Sequence, residues 1–167
     1  MFKIGDKIMY GQTGVCIVED ICEKALIKNQ TKLYYILKPV FQQNNVIYAP
    51  ADSDKVFMRQ IISKQQADEI ISSIPDIMNK LPNKEMSQEE YKVELATHDC
   101  RDLVSLTARI YKKKQNAKLS NKKLGFSDEK YMKLAESLLF GELSVALDIK
   151  YEDVIDYIDS KIKQAKK

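Results

Sequence analysis

Apolar and polar residues follow two different periods along this chain, and the change falls within residues 62–82. Before it come short runs rich in β-branched and aromatic residues, separated by turn formers. Lys7-Ile8-Met9-Tyr10 leads into Gly11-Gln12-Thr13-Gly14, and Val15–Cys22 follows. The polar turn Lys28-Asn29-Gln30-Thr31 precedes Leu33-Tyr34-Tyr35-Ile36-Leu37. Gln42–Asn45 precedes Val46–Ala49, which Pro50 ends by lacking a backbone donor, and Val56–Arg59 is the last run. Five short strands at this spacing predict a small antiparallel barrel.

After the change, apolar residues recur every three or four positions. Ser63 is placed to cap a helix over residues 64–71, and Pro75 and Pro82 bracket a short helical or irregular piece. Ser87-Gln88-Glu89-Glu90 has capping-box spacing and opens a helix to about Thr97. Asp99 caps the next, with Leu103, Leu106, Thr107, Ile110 and Lys114 along one face. Residues 116–125 read as a polar loop, and Ser127-Asp128-Glu129 opens a long helix. Its stripe is Tyr131, Leu134, Ala135, Leu138, Leu139, Leu143 and Ala146. Tyr151, Val154, Ile155, Ile158 and Ile162 mark a final helix, fraying over Lys163–Lys167. The fold class is therefore α+β, a β-barrel followed by a helical bundle. The boundaries are residues 1–62 for the barrel, 63–82 for a connecting helix and linker, and 83–167 for the helical domain.

Composition narrows the function more than the fold. Hydrophobic residues are 44% and charged residues 31% of 167, as in a globular protein. No apolar run approaches the length of a membrane helix and the N-terminus lacks a signal-peptide core, so a cytoplasmic protein without membrane association is expected. The net charge is only +3, yet residues 103–127 hold no acid while carrying Arg109, Lys112, Lys113, Lys114, Lys118, Lys122 and Lys123. Such a block is either a solvated face or a phosphate contact.

Candidate chemistry is sparse. Three cysteines and one histidine match no zinc spacing, and Cys16 and Cys22 read as small core residues. No P-loop, GxSxG, HExxH or dinucleotide loop is present. His98-Asp99-Cys100 sits at a helix start, where neighbouring side chains diverge, so it reads as a helix boundary with a partly buried Cys100. Glu85, Glu89, Glu90 and Glu94 read as a solubilising face. Of Tyr34 and Tyr35, strand alternation sends one to the core and the other to the surface. No catalytic residue, metal, cofactor or small-molecule substrate is expected.

The N-terminal string Phe2-Lys3-Ile4-Gly5-Asp6-Lys7-Ile8-Met9-Tyr10-Gly11, followed by Thr13-Gly14-Val15-Cys16-Ile17-Val18, resembles the opening of the CarD/CdnL family of bacterial transcription regulators. Tyr34–Leu37, Ile47–Pro50 and Val56–Arg59 fill its later strands. Arg101–Val104, Ile110-Tyr111, Glu129–Met132 and Leu139–Leu147 resemble the family's helical domain. The resemblance implies a Tudor/SH3-like barrel that docks on the β subunit of RNA polymerase along a strand edge. Lys24 and the strand Asn45, Val46, Ile47 and Tyr48 would lie at that contact. It also implies a helical domain that touches promoter DNA, where relatives insert a tryptophan wedge. This chain has no Trp and no W-x-x-R-Y pattern, so Met86 is the substitute wedge. Lys112, Lys113, Lys114, Lys122 and Lys123 are the expected backbone contacts, without base readout. Two other readings stay open: a polymerase-bound adaptor whose helices bind another protein, and an enzyme with an unrecognised site.

Overall fold

The computed structural model describes residues 1–166 and divides into two compact units, Met1–Ile61 and Ile62–Lys167. The first is a five-stranded antiparallel sheet of β1 (Lys7–Tyr10), β2 (Gly14–Ile27), β3 (Gln30–Pro39), β4 (Ile47–Pro50) and β5 (Met58–Gln60), in the order β4-β3-β2-β1-β5. Strand β2 runs 14 residues. Straight, it would span ~48 Å, too long for a unit of this size. Register shifts between Val18 and Asp20 and between Lys24 and Ile27 bend it instead. The sheet thereby wraps a core of Ile8, Cys16, Val18, Tyr35, Leu37 and Ala49. Phe2 closes it, its ring edge-on to Tyr35 at 5.6 Å. Gly11 in the β1–β2 turn has φ +46°, and a Cβ there would lie 2.8 Å from Val56 Cγ1, so only glycine fits.

Tyr34 corrects the expected alternation. It faces away from Tyr35, yet both rings are buried. The segment after β4 folds over Tyr34: the Ala51 N–H donates to the Leu33 carbonyl at 2.9 Å, and Pro50, Asp52 and Lys55 line the same hollow. Cys16 is fully buried, whereas Cys22 is half-buried beyond the bend.

The second unit comprises α1 (Lys64–Asn79), α2 (Gln88–Ala96), α3 (Cys100–Leu119), α4 (Phe126–Leu147), a 3-10 turn (Tyr151–Asp153) and α5 (Val154–Ala165). Capping boxes at Ser63 with Gln66 and at Ser87 with Glu90 start α1 and α2, and the Asp99 carboxylate accepts from the Arg101 N–H to start α3. Of residues 63–82, read from the sequence as connecting helix and linker, Lys64–Asn79 forms α1 and packs through Ala67, Ile70 and Ile71 within this unit. Helix α1 also continues through Pro75. Its apolar face extends through half-buried Ile74 and Ile77, and that packing outweighs the local rule against proline.

Three further expectations need correction. Helix α3 runs to Leu119, so the polar loop is residues 120–125 and not 116–125. Gly125, not Ser127, caps α4. Ile155 is 54% exposed, while Val154 is the fully buried residue of α5. That helix reaches Ala165, and Lys167 of the expected frayed end lies outside the described residues. Among the described residues, no helix is long and apolar enough to cross a membrane.

Candidate functional site

Strand β4 is an outer strand of the sheet, hydrogen-bonded on one side to β3 with Ile36 opposite Tyr48 and Leu37 opposite Ile47. Its other side pairs with no strand of the sheet, leaving backbone groups that a partner strand can engage. Tyr48 projects 43% exposed, and the Lys24 ammonium lies 4.3 Å from the centre of its ring. This cation–π contact turns two side chains from strands β2 and β4 into one rigid, positively charged platform. Val46 is exposed just before the strand. Asn45 also precedes it, its amide donating to Gln42 Oε1 at 3.1 Å, while the turn reverses at Asn44 with φ +68°. The expected strand Asn45–Tyr48 is thus a turn followed by a strand beginning at Ile47.

Residues 2–62 match the sequence family described as the CarD-like/TRCF RID domain. The N-terminal unit is a CarD-like domain. The match spans the unit almost end to end, and the curled antiparallel sheet is the Tudor-like architecture of such domains. The CarD-like domain is an RNA-polymerase-interacting module, which makes this a transcription-related protein.

The helical unit that follows the CarD-like domain redistributes the basic block. Lys113 does not point to solvent: its ammonium lies 2.9 Å from Asp128 Oδ2 and 3.8 Å from Glu85. Asp128, nearly buried, also accepts from the Tyr91 hydroxyl at 2.7 Å. Burial and this bond to Asp128 push the Tyr91 phenol well above its ordinary value. Lys112 donates to Asn83 Oδ1 at 3.0 Å, and the Arg109 guanidinium donates to the Lys84 carbonyl at 2.9 Å. These three cations therefore pin the segment before α2 onto α3. Lys114, Lys122 and Lys123 are exposed, as is Lys118.

Met86 is 8% exposed and belongs to the core, so it is not a wedge: presenting it to DNA would mean opening the segment that Arg109 and Lys112 hold down. Glu90 sits low because the Ser87 backbone N–H donates to it, helped by Lys84 and Arg109. Glu94 sits high through burial and the neighbouring Asp102.

Sequence reasoning missed two groups of residues. Glu142 is fully buried and accepts from the Ile62 N–H at 3.0 Å and the Cys100 thiol at 2.9 Å. The two bonds hold the start of α1 and the start of α3 to the C-terminal part of α4. No metal-sized group of His, Cys, Asp and Glu exists among the described residues. Leu119 and Phe126 are 86% and 84% exposed. Their signal was available: each lies nine residues from a fully buried residue of its own helix, Ile110 and Ala135, and nine residues is two and a half turns.

Proposed function

We propose that this protein is a non-catalytic regulator that docks on the β subunit of RNA polymerase through β4 and modulates promoter complexes. The observation carrying this reading is the outer edge of β4 within a matched CarD-like domain, flanked by the Tyr48–Lys24 platform. A strand of the partner adds to the edge by main-chain hydrogen bonds, and Tyr48 with Lys24 selects it by side-chain contact. The helical unit then contacts DNA backbone without base specificity. Lys114, Lys122 and Lys123 carry that contact together with Lys118, while Lys112 and Lys113 hold the segment before α2. Regulation follows if these contacts differ between closed and open promoter states.

The test uses the full chain and purified β subunit. Tyr48→Ala and Lys24→Glu each weaken binding by ~2 kcal/mol, about 30-fold, in a folded protein. Unchanged affinity overturns the docking edge. A second reading, an adaptor whose helices bind protein, is favoured by the internal engagement of Lys112 and Lys113. DNA retention across a salt series, with and without polymerase, separates the two: salt-independent failure to retain any duplex supports the adaptor.

A further inference from the structure

The tip between α3 and α4 is built, not loose. Just past the Ser120 cap of α3, Asn121 turns left-handed at φ +55°, and the Lys122 N–H returns to the Ala117 carbonyl at 2.8 Å. Three residues after Lys122, the Gly125 carbonyl accepts the first bond of α4 from the Glu129 N–H at 3.0 Å. The Lys113–Asp128 ion pair ties the two helices together just behind the tip. On this braced turn, Leu119 and Phe126 stand almost fully exposed, against the cost of leaving large apolar side chains in water. In sequence they are flanked by Lys114, Lys118, Lys122 and Lys123, in a stretch from 103 to 127 with no acid, and by Lys130 one turn beyond Phe126; of the two acids in the first turn of α4, Asp128 is engaged by Lys113 and Glu129 is exposed.

We propose that this tip binds unpaired nucleotides, with Phe126 stacking on a base, Leu119 covering its edge, and Lys118, Lys122 and Lys123 holding the flanking phosphates. An aromatic ring beside a run of cations is the combination that single-stranded nucleic acid requires, since every base offers a π-face and every linkage a negative charge. The charge complementarity selects a polyanion, and the presented ring is planar and sits on a fixed turn. The inference rests on the DNA-contact reading and deepens it: backbone contact alone needs no exposed ring.

The absence of tryptophan makes the test direct. In the full chain, Phe126→Trp introduces a single indole whose emission reports stacking. Titration with an oligo-dT strand quenches it, and the matching duplex quenches it less. Phe126→Ala lowers affinity for the single strand about tenfold without changing the salt dependence. Replacing Lys118, Lys122 and Lys123 by Gln flattens log affinity against log salt by ~0.7 per lost contact. If nucleic acid binds but the indole is unperturbed and Phe126→Ala is neutral, stacking is overturned while backbone contact stands. If neither strand nor duplex binds at low salt, the DNA reading falls and stacking with it. If the indole responds only to phosphatidylserine vesicles, or only to rising protein concentration, the tip is a membrane or self-contact and the proposal is overturned.

Discussion

The two units bury different chemistry. The sheet core is made of apolar side chains plus one thiol and the body of Tyr35, and its candidate docking groups, Lys24 and Tyr48, stand on the outside. The helical unit buries Asp128, Glu142 and Ser144; the two carboxylates join elements, while the Ser144 hydroxyl donates back to the Gly141 carbonyl of its own helix. The difference follows from how each fold satisfies its backbone. A sheet pairs neighbouring strands directly, so its interior needs no side-chain polar group. Helices satisfy only themselves, leaving N-terminal donors and the angles between helices for side chains to settle. Charged residues in the first unit are therefore available for docking, whereas several in the second are part of the packing.

The largest effect that tests this contrast is expected at Glu142. Glu142→Ala removes the acceptor of the half-buried Ile62 N–H and of the buried Cys100 thiol and should cost ~3 kcal/mol, read by urea unfolding followed through helical circular dichroism. A cost below ~1 kcal/mol would break the comparison. Asp128→Ala comes next, at ~2 kcal/mol, because it removes the closer of the two carboxylates at Lys113 and the acceptor of the Tyr91 hydroxyl. A double-mutant cycle with Tyr91→Phe should show coupling, and strict additivity would mean that the Tyr91–Asp128 bond contributes nothing. In the sheet unit, Tyr48→Ala should change stability by no more than ~0.5 kcal/mol, since the ring is exposed, while impairing polymerase binding. A large loss of stability there would make Tyr48 a core residue.

The smallest effect is alkaline and should separate the units. Burial pushes the Cys16 thiol up to about 11 from 9.0, so it supports the sheet fully below pH 9 and ceases to as pH rises through 11. In the helical unit, the bond from the Tyr157 hydroxyl to Asp68 at 2.7 Å, then burial, push that phenol up to about 12 from 10.0. Its contribution is full below pH 10 and vanishes as pH rises through 12. Sheet signals should therefore weaken first on raising pH from 9, and Tyr157→Phe should reduce the later loss in the helices. Simultaneous loss, unaltered in that variant, would refute the assignment.

Among the positions under test, the place of Tyr48 on a short strand was legible in the sequence. Glu142 was not. Its place between Gly141 and Leu143 in an apolar stretch marks an anomaly, but its partners are 80 and 42 residues away in the chain. Lys113 was misread for the same reason: α3 alone turns it outward, and Asp128 on α4 recovers it.

The sequence by itself determined the order of elements, the change from strand to helix and the starts of α1, α2 and α3. These depend on neighbours within four residues: alternation, caps and turn residues act locally. Only the tertiary structure decided that α1 runs through Pro75, that Tyr34 and Met86 are covered, and which lysines are engaged. Burial and ion pairing depend on which distant segment arrives opposite a side chain, and no local pattern carries that distance.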